Sequence, residues 1–263
     1  MRMIIYFSAL ALTFISFSST GQTTSTIKYS VANAHSHNDY EQEKPFTSAY
    51  HAVFGSMEAD IFLSHDSLYV GHEKADIELH RSLQALYLDS IAYYIRLNDG
   101  FPYADHERKL QLLIDVKTEA VSTLLKLEVM LGAFYPDIIQ CKALTIVITG
   151  NRPPPKKWNS YPAEIEFDGR FSEKYSDSEW SRIAMVSSDL SDIVKWDGNG
   201  PISGSDSIRL TAAVQQAHAR GKKARFWGAP DFPNAWTQFM KLNVDWINTD
   251  HIQTLADFLN RGK

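Results

Sequence analysis

The chain has one cysteine, Cys141, in 263 residues, and this excludes a disulfide bond within the chain. Positive charge is also scarce, since 26 lysines and arginines against 31 acidic residues leave a formal net charge of −5. No local cluster of lysine and arginine offsets this deficit. Nucleic acid selects a basic surface, so we expect no nucleic-acid partner.

Long apolar runs are absent except at the amino terminus. There, Arg2 precedes the apolar stretch Met3–Phe17, and small polar residues follow over Ser18–Gly21. This layout is typical of a secretory signal peptide, and the stretch is short for a helix that spans a bilayer. We expect a signal peptide over residues 1–21, no transmembrane segment in the mature chain, and export to the periplasm or the medium. An uncleaved membrane anchor is the alternative.

Short β-prone runs alternate with helical patterns along the rest of the chain. This alternation predicts parallel strand pairing in an α/β fold, and eight strands fit one TIM barrel, a (β/α)8 domain, over residues 28–263. The candidate strands are Ser30–His35, Ser56–Leu63, Gln111–Lys117, Leu144–Thr149, Glu164–Asp168, Ala184–Ser188, Lys223–Trp227 and Asp245–Asn248. The candidate helices are Leu79–Leu97, Glu119–Leu131, Ser207–Ala219 and Ala235–Leu242.

Three segments depart from this repeat. Leu68–Val70 is β-prone and predicts an extra short strand after the second strand. Asn151–Pro162 contains three consecutive prolines and predicts an irregular connection in place of a helix. The glycine-rich stretch Asp197–Ser205 predicts a loop over the barrel mouth and not a domain boundary.

Acidic residues alternate with apolar residues in the second candidate strand. Side chains along a strand repeat every two residues, so Glu58 and Asp60 share one face. Two neighbouring carboxylates repel each other and resist burial unless a cation neutralises them, which favours a divalent metal ion. A solvated strand end with two surface acids is the alternative.

The third candidate strand adds another acid and a cation. Asp115 and Lys117 project to one side at the carboxyl end of a run that is too apolar for a surface strand. Because the carboxyl ends of barrel strands meet at one mouth, both side chains would join Glu58 and Asp60 there. A salt-bridged strand end is the ordinary alternative for an Asp-x-Lys pair.

Histidines accompany these acids in the sequence. His35 ends the first candidate strand, and His72 follows the extra strand. Catalytic side chains of parallel barrels gather at the carboxyl ends of the strands. The combination of histidines and clustered acids therefore indicates a metal-assisted hydrolytic site.

These motifs resemble those of a known superfamily. Their order along the chain, closing with Phe226–Trp227 and Ile247–Asp250, is similar to that of phosphatidylinositol phospholipase C-like phosphodiesterases. That superfamily includes glycerophosphodiester phosphodiesterases and the sphingomyelinase D type of phospholipase D. The segments His35–Tyr40 and Leu68–Glu73 are most similar to the branch named after altered inheritance of mitochondria protein 6. The resemblance covers essentially the whole chain after the leader, and it implies a TIM barrel.

The resemblance also implies a phosphoric diester hydrolase. The substrate would be a small-molecule or lipid phosphodiester, such as a glycerophosphodiester or a phospholipid-like molecule. One divalent cation, Mg²⁺ or Ca²⁺, would be held by three carboxylates. These metal ligands would be Glu58, Asp60 and Asp115. The residues expected to contact the substrate are Asn38, Trp227 and Asn248.

Two histidines and a lysine would carry the chemistry that the resemblance implies. His35 and His72 would act as general base and general acid, in an order that the sequence leaves open. Lys117 would stabilise charge on a non-bridging phosphoryl oxygen. A substrate with a nearby hydroxyl group would give a cyclic phosphate, as in a phospholipase D-like lyase, in place of hydrolysis.

The sequence departs from the superfamily pattern after the first histidine. Ser36 and His37 stand where Arg-Gly usually follows, and the acid of the Glu-Asn pair of glycerophosphodiesterases is missing beside Asn38. This difference favours the phospholipase D pattern. His37 is either a further ligand or substrate contact, or a supporting loop residue.

Two other functions stay open at this point. Amidohydrolases and phosphoesterases of the polymerase-histidinol phosphatase type also begin with His-x-His, but they need metal-binding histidines on later strands. Glu164–Asp168 and Ala184–Ser188 contain none, and only His251 after the last strand suits this alternative. The second is an exported barrel that binds a ligand without turnover, although mere binding does not require an acid–base pair. The oligomeric state is not defined by the sequence.

Overall fold

Parallel strands form the centre of the structure, a computed structural model that describes residues 27–261. The strands of these residues are β1 Ala34–Ser36, β2 Ser56–Ser64, β3 Ser67–Val70, β4 Leu110–Val116, β5 Leu144–Gly150, β6 Ile165–Arg170, β7 Ile183–Asp189, β8 Lys223–Trp227 and β9 Ile247–Thr249. Eight of them are parallel neighbours in the order β8-β7-β6-β5-β4-β2-β1-β9. A parallel bridge between Arg225 and Trp246 brings β8 against the β9 end, so the barrel is nearly closed. The predicted single α/β domain with TIM-barrel architecture is confirmed.

Helices cover the outside of this barrel. Their bounds are α1 Thr47–His51, α2 Asp89–Leu97, α3 Ala120–Phe134, α4 Pro136–Gln140, α5 Asp177–Trp180, α6 Gly204–His218, α7 Pro233–Lys241 and α8 Ile252–Asn260. The Glu119 carboxylate caps α3 by accepting the amide N–H groups of Val121 and Ser122. The proline-containing connection after β5 holds only a 3-10 helix, Pro155–Ser160, as its composition predicts. The expected signal peptide, residues 1–21, lies outside the described residues.

The helix predicted over Leu79–Leu97 is shorter than expected. A 3-10 helix ends at Leu79, and His80 adopts a left-handed conformation with φ 51°, which breaks the helical path. The next residues pair with β3, because the Val70 amide donates to the Arg81 carbonyl. Helical structure begins again only at Gln84, as one π-type turn that leads into α2.

The first and last predicted strands also differ from the structure. Ser30 caps a 3-10 helix, Val31–Asn33, so β1 starts at Ala34 and has three residues. The prediction placed the last strand at Asp245–Asn248, whereas β9 begins two residues later. The larger differences are at the strand starts, away from the mouth, and each strand ends one residue later than predicted, at Ser36 and Thr249.

The extra strand predicted at Leu68–Val70 is confirmed as β3, which pairs antiparallel with β2. The turn between them has positive φ at both central residues, 46° at His65 and 63° at Asp66, as a tight two-residue hairpin requires. The hairpin extends β2 beyond the barrel and returns the chain towards the mouth. His72 lies two residues beyond the end of β3.

The barrel interior is polar towards the carboxyl ends of the strands, which we call the upper part, and apolar below them. Leu113, Val147, Met185 and Trp246 form an apolar cluster that is separate from the larger core between the sheet and the helices. On β2, Met57, Ala59 and Ile61 belong to that larger core, while the alternating acids face the interior. The acids therefore lie in the upper part of the barrel, towards the carboxyl ends of the strands.

Candidate active site

Three carboxylates from neighbouring strands converge at the mouth. Asp60 of β2 is in register with Asp115 of β4, and Glu58 lies one step lower on the same face of β2. One oxygen from each of the three lies within 4.8 Å of the others. In the part of the chain that the structure describes, this is the only such cluster of three or more acids, histidines or cysteines. Glu58 and Asp60 are buried, as a cation site demands and a solvated strand end does not.

The trio fits a hard divalent cation. The Asp60 and Asp115 Oδ1 atoms are buried without a hydrogen-bond partner. Burial and the charges of Glu58 and Asp115 raise the pKa of Asp60 to about 6, and burial raises the pKa of Asp115 as well. At Gly150 a Cβ atom would collide with the Asp115 carboxylate, so glycine keeps the space open. Carboxylate oxygens are the ligands that Mg²⁺ and Ca²⁺ prefer, and a cation would relieve the repulsion among them.

Lys117 lies between two of these acids. Its Nζ atom is 2.8 Å from Asp60 Oδ2 and 2.9 Å from Asp115 Oδ2. Burial lowers the pKa of Lys117, but the two carboxylates outweigh burial and raise it, so the side chain carries a positive charge. The sequence placed Lys117 on the face of Asp115, and the structure brings both to one mouth as that spacing predicts.

His35 lies below the acids and is fully buried. Its Nδ1 atom is 2.7 Å from Ser56 Oγ and its Nε2 atom is 3.1 Å from Glu58 Oε2. Burial and the nearby charge of Arg225 lower the pKa of His35 to about 3, so the imidazole is neutral. The Glu58 carboxylate can only accept, so Nε2 bears the hydrogen and Nδ1 accepts the Ser56 hydroxyl hydrogen. Both ring nitrogens are therefore occupied.

Arg225 of β8 is a buried cation that the sequence did not single out. Its Nη2 atom donates to Glu58 Oε2 at 2.7 Å, and its Nε atom donates to Asn248 Oδ1 at 2.8 Å. Burial alone would raise the pKa of Glu58, but Arg225 and the hydrogen bond from His35 outweigh burial and lower it. Glu58 is thus held ionised. Asn248, which we expected to contact the substrate, is engaged by Arg225.

His72 reaches the mouth from the segment after β3, and its side chain is 55% exposed. Its Nδ1 atom lies 3.3 Å from the Tyr40 hydroxyl, which donates to Asp60 Oδ2 at 2.9 Å. The Asp76 carboxylate accepts the His72 backbone amide and fixes the segment. His72 therefore lies above the acids, next to solvent. Nothing in the sequence marks Tyr40 as the link between them.

A second histidine, His37, follows β1 directly and lies at the mouth. The His37 amide donates to the Thr249 carbonyl, which continues the pairing of β1 with β9. The Nδ1 atom of the His37 ring is 2.8 Å from Asp250 Oδ1. Burial lowers the pKa of His37, but the hydrogen bond to Asp250 and the charge of Glu58 outweigh it and raise the pKa. His37 lines the mouth cavity, whereas His35 does not.

The mouth cavity has a volume of about 640 Å³. Asn38 lines it in a left-handed conformation, and Trp227 lines it with 42% of its surface exposed. Asp168 of β6 is a buried residue of the cavity lining, and Thr149 and Ser187 donate to its Oδ2 atom. The cavity is large enough for a small phosphodiester, and polar groups surround it.

Metal-binding histidines do not converge on this mouth within the described residues. The carboxylate trio contains no histidine, and the His251 amide begins α8 by donating to Thr249 Oγ1. The alternative of an amidohydrolase or a polymerase-histidinol phosphatase-type site therefore has no support from the geometry.

Comparisons with known proteins found a matching family model and related sequences. A family model described as an AIM6-like phosphodiesterase domain matches residues 24–156, half of the chain. The chain is 25% identical over 283 residues to altered inheritance of mitochondria protein 6 of Eremothecium gossypii, covering 87% of this chain and 69% of that protein. It is 26% identical over 261 residues to the homolog of Arthroderma benhamiae, covering 85% of this chain and 82% of that protein.

A solved structure has the same fold. The glycerophosphodiester phosphodiesterase from Parabacteroides distasonis superposes with a TM-score of 0.52 at 14% identity, covering 88% of this chain and 98% of that chain. At this identity the superposition establishes a shared TIM-barrel architecture.

Proposed function

Because the chain belongs to the family of AIM6-like phosphodiesterase domains, we propose that it hydrolyses phosphodiesters at the barrel mouth with the help of one divalent cation. The observation that carries this proposal is the carboxylate trio, two of whose members are buried, with an ammonium group beside it. Burying charges of both signs is costly, and mere ligand binding does not require it. A shared fold alone does not define a reaction, so the site must do so.

Glu58, Asp60 and Asp115 would hold the cation, either Mg²⁺ or Ca²⁺. When bound, such an ion supplies Lewis acidity to a phosphoryl oxygen. Arg225 keeps Glu58 ionised and His35 orients the same carboxylate, so this ligand is fixed before a cation arrives.

The chain's own groups would then complete the reaction. Lys117 would stabilise the negative charge that grows on a non-bridging oxygen. His72, exposed above the acids, would move one proton, and an imidazole at the end of β1 would move the other. A substrate with an adjacent hydroxyl group would give a cyclic phosphate by the same route, because that hydroxyl replaces water as the nucleophile.

The substrate we propose is a glycerophosphodiester or a phospholipid-like molecule. The family description and the name of the Parabacteroides distasonis enzyme support this class. Asn38 and Trp227 line the cavity and would contact the part of the substrate beyond the phosphate. Asn248 would act through Arg225, to which it is hydrogen-bonded.

We also propose export through the signal peptide over residues 1–21. The charge and apolar pattern of those residues support it. Among the described residues, none of the helices is long and apolar enough to cross a membrane. Mass spectrometry of the mature protein should find a start near Gln22, and an intact Met1 in cytosolic protein would refute export.

The experiment that tests the proposed function measures turnover of a phosphodiester panel by purified protein. The panel contains an aryl phosphodiester, glycerophosphodiesters, lysophospholipids and inositol phospholipids. Chelation should abolish turnover, and Mg²⁺, Ca²⁺ or Mn²⁺ should restore it. Asp60→Asn should weaken metal binding and lower turnover, because one buried ligand oxygen and its charge are lost.

A matched control separates this effect from a general change of charge. Glu164→Gln removes a carboxylate just before β6, away from the mouth, and should leave turnover and metal binding unchanged. Full activity of chelated protein, or equal metal binding in Asp60→Asn and the wild type, would contradict the proposed function.

A further inference from the structure

We propose that His37, held by Asp250, is the general base of this site, and that His35 positions Glu58 in place of transferring protons. This inference rests on the proposed function, which requires two imidazoles that transfer protons, and it identifies the one that acts as the base. The assignment follows from which ring nitrogens are free, and from where each ring lies.

His35 has no nitrogen left for a substrate. Gln111 donates to Ser56 Oγ at 2.9 Å, and Ser56 Oγ in turn lies 2.7 Å from His35 Nδ1. The other nitrogen donates to Glu58, so the ring is the middle of a closed chain of hydrogen bonds. With no exposed surface, it cannot receive a proton from water without breaking that chain.

His37 has the free nitrogen that His35 lacks. The Asp250 carboxylate can only accept, so in the neutral ring Nδ1 bears the hydrogen and Nε2 keeps its lone pair. A base whose second nitrogen is oriented by a carboxylate is the arrangement that activates a nucleophile in other hydrolases. The side chain is 28% exposed and lines the same cavity as the carboxylate trio and His72.

The strands place this pair at the level of the acids. His35 is in register with Ser56, so two residues further along parallel strands His37 comes level with Glu58. Asp250 is held by its own backbone, since its amide donates to Asp231 Oδ2 at 2.7 Å and its carbonyl accepts from Gln42 at 2.9 Å. Both members of the pair thus sit on fixed backbone at the mouth.

Side chains of this protein account for both proton transfers of the reaction. His37 Nε2 takes a proton from the attacking water as its oxygen bonds to phosphorus. The bond from phosphorus to the leaving oxygen breaks, and protonated His72 gives its proton to that oxygen. The products are a phosphomonoester and an alcohol, and exchange with solvent returns both rings to their starting states.

The test compares two diesters of glycerol phosphate that differ in the leaving group. One releases p-nitrophenolate, which departs without a proton, and the other releases ethanolamine, which needs one. His37→Gln should lower kcat roughly a hundredfold or more on both esters, because a base acts on the nucleophile in either case. His72→Gln should lower kcat on the ethanolamine ester by a similar factor and leave the p-nitrophenyl ester nearly unaffected.

Further variants test each role separately. Mn²⁺ affinity, measured by titration calorimetry, should be unchanged in His37→Gln and weakened in His35→Gln, which disturbs Glu58. Asp250→Asn should lower kcat with little change in KM, because it disorients the base without touching the substrate. His65→Gln, at the exposed turn of the β2–β3 hairpin, is the matched control and should behave as the wild type.

Three outcomes would count against this account, and they are distinguishable. Wild-type turnover of both esters by His37→Gln would overturn the assignment of the base and leave the proposed function standing. Lost turnover together with lost Mn²⁺ affinity in His37→Gln would also overturn it, because His37 would then be a metal ligand. No turnover of either ester by the metal-loaded wild type would overturn the proposed function itself.

Discussion

Arg225 and Glu58 form an ion pair inside the barrel, where both side chains are almost fully buried. Removing both charges from water is costly, and the pair is tolerated because His35 and Asn248 complete its hydrogen bonds. At the scale of single residues, stability and function are therefore coupled. The carboxylate that we assign to the cation is the same one that the arginine neutralises.

Loss of one partner of this pair should be severe. Arg225→Met leaves Glu58 buried without its counter-charge and should lower the free energy of unfolding by about 3–5 kcal/mol. The double variant Arg225→Met with Glu58→Gln should be less destabilised than the single one. Urea denaturation measures both, and Arg96→Met, which breaks the exposed Arg96–Asp137 pair, is the control with an expected loss of at most about 1 kcal/mol. An equal loss of stability in Arg225→Met and Arg96→Met would contradict the coupling.

Asp168 makes stability depend on pH. Burial raises its pKa to about 6, so the folded state holds a proton that the unfolded state releases at a lower pH. The stabilisation from this group is present at pH below about 4 and is lost as pH rises through about 6. Asp168→Asn cannot ionise, so relative to the wild type it should gain on the order of 2–3 kcal/mol between these limits.

Thermal melts in chelator from pH 4 to pH 7 measure this difference. The melting temperature of the wild type should fall relative to that of Asp168→Asn as pH rises. The control Asp257→Asn, at an exposed position on α8, should run parallel to the wild type. A constant gap between the wild type and Asp168→Asn would show that Asp168 is already ionised at low pH.

At the scale of elements, the β2–β3 hairpin and the segment after it present His72 to the mouth. Asp76 accepts the backbone amides of His72 and Glu73, at 2.8 and 2.9 Å, and so holds this segment in one conformation. The segment from His72 to His80 is otherwise mostly exposed. Its geometry thus depends on a small number of hydrogen bonds.

Asp76→Ala should loosen the segment after β3 that carries His72. We expect kcat on an alkyl phosphodiester to fall by roughly tenfold or more, because misplacing a catalytic group by about 1 Å has an effect of this order. Mn²⁺ affinity should not change, since the carboxylate trio is untouched. Glu78→Ala, an exposed residue of the same segment, is the control, and equal kinetics for the two variants would mean that Asp76 does not position His72.

The elements differ in how far the sequence predicts them. Short, strongly apolar segments mark β4 and β5. In β2 the alternation of acids with apolar residues correctly places Glu58 and Asp60 on one face. Short segments are less clear, because a cap at Ser30 or a left-handed residue at His80 decides between strand, 3-10 helix and helix. Those choices depend on single backbone contacts that periodicity does not report.

The site is harder to predict, because depth within a barrel comes from the register between strands. Spacing puts His35 and His37 on one face, but only the pairing of β1 with β2 and β9 shows that one is enclosed and the other open. Alternation over Lys223–Trp227 places Arg225 on the inward face. Its partner Glu58 is 167 residues away, which no local pattern reveals.

At the scale of the whole molecule, the apolar packing of the barrel and its charged groups lie at different levels. An apolar cluster fills its interior below, and the charged groups collect above it at the carboxyl ends of the strands. The nearly closed sheet brings β1 between β2 and β9, so acids from β2 and β4 meet the histidine and aspartate at the β1 and β9 ends. The order of the parallel strands thus assembles the site from distant parts of the sequence, and the bridge between β8 and the β9 end brings Arg225 to Glu58 as well.

The most direct test of this account is a titration of chelated protein with Mn²⁺, in which bound metal and phosphodiester turnover are measured on the same samples. Bound metal follows from electron paramagnetic resonance of the free ion. We predict that turnover rises in proportion to bound Mn²⁺ and saturates at one ion per chain, and that Asp60→Asn requires more Mn²⁺ to reach the same occupancy. Turnover that is complete before metal binds, or that continues to rise after the first ion is bound, would contradict a single-cation site built from Glu58, Asp60 and Asp115.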